Sequence, residues 1–346
     1  MKNYIAVVLI VLSLTSCQKE KISIGTNASD TFYVDNAGAS MRVLVEGNTS
    51  SHTFVLFVAG GPGASSFFYN TDYIKNNIAD KYACVFWDQR NSGASQGNSN
   101  GSNLNLPQMT DDLKKVIEVI KYRYGENSSV FLLGHSFGGL LTASFMTTGD
   151  NQNMVKGWIY ADGSHNYPLN DTLTRQMLIT VGQQQIAENQ NTDQWFPIVD
   201  YCESHTGGFS LDESFQLEDY AEQAETLFSV VKQVNLFDLI RQYAIKDNWP
   251  LTSILFNYLY SSNDDFNQEL AKTDFTSQLY KVTTPTLIMY GEYDFVCPKG
   301  LGEDLYNHIS SPEKKMVISP ISGHDIFLQD QAFFCDQIDQ FVLQNK

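Results

Sequence analysis

The stretch Ser129-Val130-Phe131-Leu132-Leu133-Gly134-His135-Ser136-Phe137-Gly138-Gly139-Leu140-Leu141-Thr142-Ala143-Ser144-Phe145-Met146 joins a short apolar segment of strand character to a run of helical character. At the junction stands Gly134-His135-Ser136-Phe137-Gly138. A serine on so tight a strand-to-helix turn is forced outward. Glycines two residues to either side let the strand and helix approach closely, the pattern of a nucleophile elbow. The amide of Phe137, at the start of the helix, then points to where a negative oxygen would form.

Working outward, strand-like runs recur at Met41–Val45, Thr53–Val58, Ala83–Asp88, Gly157–Ala161, Thr286–Tyr290 and Lys315–Ile318. Helical patterns alternate with several of them. Asp111–Tyr124 places Leu113, Val116, Ile117 and Ile120 on one face, and Gln331–Leu343 does the same with Phe333, Ile338 and Phe341. This alternation predicts an α/β fold, a mostly parallel central sheet with helices on both faces. It breaks between Gly163 and Thr284, where helices such as Leu217–Val234 and Asn235–Tyr243 are expected and strand signals are lacking. An insertion between two sheet strands should fold over the sheet's C-terminal edge, where ligands bind in open α/β sheets. The expected domains are a core of residues 31–163 and 285–346 and a helical cap of residues 164–284.

A serine at its free pKa is a poor nucleophile and needs a base, itself oriented by an acid. The order on this kind of sheet is serine, then acid, then histidine. His324 follows the Lys315–Ile318 strand in the loop from Ser319 and precedes the last helix, where a base can reach Ser136. His135 should point away from the serine, and His165 could line the pocket. The acid should follow Thr286–Tyr290, where Gly291-Glu292-Tyr293-Asp294 stands. Asp294 is chosen over Glu292, with Asp162 a rival at the end of another strand and Asp325 expected to face solvent. A second oxyanion donor should come from the loop after an early strand. Ala59-Gly60-Gly61-Pro62-Gly63 follows Thr53–Val58, and Gly61 is the expected donor because glycine lets the backbone approach the substrate.

Gly60-Gly61-Pro62-Gly63, Asp88-Gln89-Arg90 with Ser92-Gly93 and Ser95, Gly134 to Gly139, Asp294 and His324 together resemble the proline iminopeptidase family of α/β-hydrolases. The motifs agree in order from residue 60 to 324. The resemblance implies the α/β-hydrolase fold, a helical cap and Ser-His-Asp chemistry, with Asp88 and Arg90 as scaffold beside the oxyanion loop. Three positions depart from the family pattern. Ala59 stands where the family usually has histidine, Asn91 where it has glycine, and Asp162 where it tends to have arginine. None of them touches the triad. Dehalogenases and epoxide hydrolases of this fold use an aspartate nucleophile, so Ser136 argues against both.

The 346 residues carry a formal net charge of −17, from 22 Lys and Arg against 39 Asp and Glu. Such a balance argues against nucleic acid or an anionic membrane surface as partner. No Lys or Arg occurs from Gln176 to Val231, where Glu188, Glu203, Glu218, Glu222 and Glu225 fall. With Asp162, these are the candidate substrate-binding carboxylates, suited to fix a cationic group in a cleft. At the N-terminus, Lys2 and the apolar run Tyr4–Leu14 read as a signal peptide, residues 1–16. Leu14-Thr15-Ser16-Cys17 resembles a bacterial lipoprotein box, which makes Cys17 the candidate lipidation site and residues 17–30 a polar tether. A multiply acylated residue anchors stably to a bilayer. The expected location is therefore extracytoplasmic, lipid-anchored to a bacterial membrane on the periplasmic side or cell surface. Of the remaining cysteines, no spacing marks a disulfide pair, and no Cys or His pairing marks a metal.

The sequence thus predicts a serine hydrolase that works through an acyl-enzyme without a cofactor. Its expected substrate is a small peptide or small acyl compound, most plainly a peptide with a free N-terminus cleaved by an aminopeptidase. A carboxylesterase or lactonase is the alternative, since fold and triad do not fix the substrate. An inactive lipid-anchored binding protein is the remaining reading, opposed by the intact Ser136, Asp294 and His324.

Overall fold

Alternate residues of β3 (Thr53–Val58) divide between the two faces of a central sheet. Phe54, Leu56 and Val58 enter one apolar layer, Val55 and Phe57 the other, and all five are fully buried. A strand covered on both faces needs apolar residues at every position, which is what this run supplies. The computed structural model describes residues 22–97, 103–234, 259 and 263–346. The signal segment, Cys17 and the helix expected over residues 235–243 lie outside them.

The other strands are β1 (Ala28–Asn36), β2 (Ala39–Gly47), β4 (Ala83–Trp87), β5 (Gln96–Gly97), β6 (Ser129–His135), β7 (Gly157–Ala161), β8 (Thr286–Gly291) and β9 (Lys314–Ser319). Their order is β1-β2-β4-β3-β6-β7-β8-β9, with the short β5 on β2. From β4 to β9 every pairing on this path is parallel, while β1, β2 and β5 pair antiparallel. One layer is covered by α1 (Leu106–Tyr124) and α2 (Phe137–Thr147), the other by the C-terminal helix Gln331–Asn345. Leu113, Val116, Ile117 and Ile120 form the buried stripe of α1 as their spacing predicts. Asn105 caps that helix by accepting the amide of Gln108. The mostly parallel sheet with helices on both faces is the expected architecture.

Between β7 and β8 the described residues are helical: α3 (Tyr167–Ala187), α4 (Thr192–Ser204), α5 (Leu211–Thr226) and α6 (Asp264–Leu270). Leu178, Trp195, Ile198, Cys202, Leu217, Ala221 and Ala224 make a separate apolar cluster here, closed by Phe295 from the loop after β8. That shared phenylalanine fastens the inserted helices to the sheet's C-terminal edge. Ser210 and Glu213 form a reciprocal capping box that starts α5 six residues earlier than Leu217, where the apolar periodicity begins. The helix also ends earlier than the expected Val234, at Thr226.

One further expectation is corrected. The tether read over residues 17–30 gives way to β1 at Ala28, and Ser23 and Gly25 already bond to Asp30 and Thr49. Polar residues alternate along β1 because one face is open to solvent, so no apolar run announced it. No helix among the described residues is long and apolar enough to cross a membrane. Cys84, Cys202, Cys297 and Cys335 are buried free thiols.

Candidate active site

Ser136 sits between β6 and α2 with φ 55° and ψ −125°, a conformation that non-glycine residues rarely adopt. The flanking glycines permit it. A Cβ on Gly134 would lie 2.4 Å from the carbonyl oxygen of Gly138, and one on Gly138 would lie 2.1 Å from that of Val58. Strand, turn and helix therefore close together only because both positions lack a side chain. Such stored strain occurs where a side chain must be presented for a function.

His324, in the loop after β9, has Nε2 2.9 Å from Ser136 Oγ. Its Nδ1 lies 3.2 Å from both carboxylate oxygens of Asp294, which follows β8 and is fully buried. With Nδ1–H donating to Asp294, Nε2 is left as the acceptor for the serine hydroxyl. Asp294 also accepts the amide of Cys297 at 2.7 Å, which fixes its own rotamer. The rival Glu292 instead pairs with Lys299 at the surface. Asp162 is fully buried and accepts the amides of Gly291 and Ile326, so it ties the ends of β7 and β8 to the segment after His324.

The loop after β3 carries Gly61, at φ +109°, beside Ser136 in the cleft. Neither the Gly61 nor the Phe137 amide has a hydrogen-bond partner among the described residues. The loop is held from behind. Gln89 donates to the carbonyl of Ala59, and buried Asp88 accepts Ser65 Oγ, the Ser66 amide and the Ala94 amide while pairing with Arg42. Arg90 bonds Asp112 on α1. The scaffold expected of Asp88 and Arg90 thus includes Gln89, which reaches the loop itself. Asn91 takes φ 55°, which asparagine tolerates better than most residues, in place of the family's glycine.

Two cavities open on either side of Ser136. A smaller one, about 110 Å³, is lined by Phe137, Tyr167, Leu217, Leu270 and Val296, with Asp171 and Glu218 as its charged groups. A larger one, about 420 Å³, is lined by Tyr69, Phe327, Glu222, Glu225, His324 and Asp325. Among the described residues no Lys or Arg lines either cavity.

Three of the six candidate carboxylates therefore face the cleft: Glu218, Glu222 and Glu225. Three do not. Glu188 and Glu203 lie at helix ends, exposed and bonded to Gln184 and Gln183. Asp162 is fully buried with its oxygens on the amides of Gly291 and Ile326, so it serves the scaffold. Asp325 is half-buried in the larger cavity wall, and solvent does not claim it. His165 is buried against Asp304 at 2.9 Å and lines neither cavity. Sequence reasoning missed Tyr69, Tyr167 and Asp171, which no local motif marks. It could have singled out Glu218, Glu222 and Glu225, whose i, i+4, i+7 spacing places them on one face of α5.

Electrostatics at the site are dominated by carboxylates around one imidazole. Burial alone would push the His324 pKa down. The charge and hydrogen bond of Asp294, with Asp162 and Asp325 behind, outweigh it and hold the imidazole well above its usual value. Burial pushes the Glu225 carboxyl up to about 8, and Asp294 adds to the rise. Burial and neighbouring Glu222 also raise Glu218. His324 must be neutral to accept the serine proton, so reactivity should be lost as pH falls through its raised pKa. The rate of fluorophosphonate labelling should rise with pH to a midpoint above the imidazole value of about 6.5, and Asp294→Asn should move that midpoint down. A midpoint at or below 6.5 in the wild-type protein would refute this electrostatic account.

The chain matches the family described as serine aminopeptidase, S33, over residues 50–183 and 269–331. It is 24% identical to the proline iminopeptidase of Saccharolobus solfataricus over 291 residues, 82% of this chain and 83% of that protein. Among solved structures, the proline iminopeptidase of Mycobacterium smegmatis superposes with a TM-score of 0.62 at 17% identity, covering 92% of this chain and 98% of that one. An esterase from Exiguobacterium antarcticum superposes with a TM-score of 0.58 at 20% identity, covering 91% and 100%. The chain belongs to the serine aminopeptidase S33 family of α/β-hydrolases and is a serine hydrolase similar to the proline iminopeptidases.

Proposed function

We propose that the protein is an aminopeptidase that releases N-terminal residues from small peptides through Ser136, His324 and Asp294. His324 Nε2 takes the proton of Ser136 Oγ as that oxygen attacks the scissile carbonyl. The amides of Gly61 and Phe137 receive the oxyanion, and Asp294 stabilises the imidazolium that forms. His324 then gives its proton to the leaving amine, an acyl-enzyme remains, and water attacks it by the same route in reverse.

The observation that carries the substrate class is the charge of the cleft. Glu218 and Glu222 project from one helix face into cavities that no Lys or Arg lines among the described residues, while Glu225 beside them accepts the amides of His324 and Phe295. Carboxylates walled by protein favour a cationic partner. A peptide's free α-ammonium group meets that need, with Glu218 in the smaller cavity as the group that receives it. The apolar side chains around Glu218 leave room for a small N-terminal residue, and the larger cavity takes the rest of the peptide.

The test is a matched pair of short peptide amides, one with a free N-terminus and one N-acetylated. The free substrate should be cleaved about 10²-fold faster in kcat/KM, the loss expected when a partly desolvated carboxylate is denied its charge partner. Equal cleavage would remove the amine requirement and favour the esterase or lactonase reading.

We also propose that Cys17 carries the lipid that holds the enzyme on an extracytoplasmic membrane face. Cys17→Ser should move the protein from the membrane fraction to the soluble fraction, with activity on a soluble substrate retained. Continued sedimentation of the variant with membranes would contradict it.

A further inference from the structure

His135, one residue before the nucleophile, is buried at the wall of the larger cavity. What it touches was not expected. Its Nδ1 lies 2.8 Å from the hydroxyl of Tyr69, and its Nε2 lies 2.8 Å from the main-chain carbonyl of His324. The Tyr69 hydroxyl in turn accepts the amide of Gly60 at 3.3 Å, next to Gly61.

These contacts admit one arrangement of protons. A carbonyl only accepts, so His135 Nε2 carries the hydrogen and donates it to His324. Burial drives the His135 pKa down to about 3, with the charge of His324 acting in the same direction, so the ring is neutral and Nδ1 is bare. Tyr69 therefore donates its hydroxyl proton to Nδ1 while its oxygen accepts from Gly60. Burial holds the Tyr69 phenol far above its ordinary value, so that proton stays. Asp162, whose carboxyl burial pushes well above its ordinary value, lies 4.0 Å from Nε2. Phe327 packs on both rings, at 4.3 Å from Tyr69 and 5.1 Å from His135 between centroids.

We infer that Tyr69 and His135 form a positioning strut, Gly60 N–H to Tyr69 to His135 to His324 C=O, that fixes the oxyanion loop and the base loop at one separation. Neither residue touches the reacting atoms. The oxyanion loop follows β3 and the base loop follows β9, and no sheet pairing joins those two strands directly. The strut supplies that connection through two buried rings. This rests on the Ser-His-Asp reading above, and adds to it why a histidine precedes the nucleophile.

The test uses fluorophosphonate labelling of the full chain, read as a maximal rate, a half-saturating concentration and a pH profile. Tyr69→Phe, which removes one oxygen, should lower the maximal rate about tenfold and leave half-saturation unchanged. His135→Phe should lower it about 10²-fold, the scale of an ångström-sized misplacement of catalytic groups. His135→Gln, whose amide can still reach the His324 carbonyl, should recover part of that loss. The double variant Tyr69→Phe/His135→Phe should be no slower than His135→Phe alone, because a strut fails once. Should His135→Phe not fold, Tyr69→Phe with a wild-type melting profile carries the test. Wild-type rates and pH profile in Tyr69→Phe and His135→Gln, or additive losses in the double variant, would overturn the strut alone. Failure of the wild-type protein to label would overturn both the strut and the triad.

Discussion

Ser136→Ala is expected to lower kcat by about 10⁶-fold, with a residual rate above that in water, because a triad that loses its nucleophile loses nearly all of its joint effect. The reasoning is geometric. Among the described residues Ser136 Oγ is the one hydroxyl bonded to His324 Nε2, and the alanine variant keeps the backbone of the turn. Folding should be unchanged or slightly improved, since the side chain makes no cap bond to the helix it precedes. His324→Ala should cost a similar factor. The double variant should be no worse than either single one, because base and nucleophile act on the same proton. Steady-state kinetics with circular dichroism on the same samples would check this. Turnover within tenfold of wild type in Ser136→Ala would remove the assignment.

The second large effect is expected at Glu218. Glu218→Gln keeps the size of the side chain and removes its charge from the smaller cavity beside Ser136. For a peptide with a free N-terminus, kcat/KM should fall about 10²-fold, roughly 3 kcal/mol of transition-state stabilisation. For an N-acetylated or ester substrate the same variant should be neutral or improved, because an unpaired charge has been removed from the cavity. Glu222→Gln faces the larger cavity and should cost the free peptide less. Stability should not fall in Glu218→Gln, since burial and neighbouring Glu222 raise this carboxyl by more than His324 lowers it. Kinetics on both substrate types would decide the matter, and an equal loss on both would show that Glu218 acts on structure.

Where the chemistry depends on local backbone shape, it was legible in the sequence. Gly134 and Gly138 announce the turn at Ser136, and the order of strand ends places Asp294 and His324 without any knowledge of packing. The parallel sheet was legible for a related reason, since runs such as Thr53–Val58 are apolar at every position only when both faces are covered. What escaped depends on how helices lie. Glu188 and Glu203 share the acidic composition of Glu218, yet they end on the outside because α3 and α4 turn their polar termini to solvent. Asp162 reads as a strand-end carboxylate near the edge, but its oxygens are taken by the amides of Gly291 and Ile326. β1 was missed because one face of it is polar and wet. Tyr69 joins the site only through the fold of the loop after Gly63, and no spacing could have paired it with His135.

The most direct test of the account is the site and pH dependence of a fluorophosphonate adduct, mapped by peptide mass spectrometry on the wild-type protein. The account predicts a single adduct on Ser136, formed faster as pH rises through the raised pKa of His324, and abolished by His324→Ala. An adduct on another residue, or unmodified protein at every pH, would contradict it.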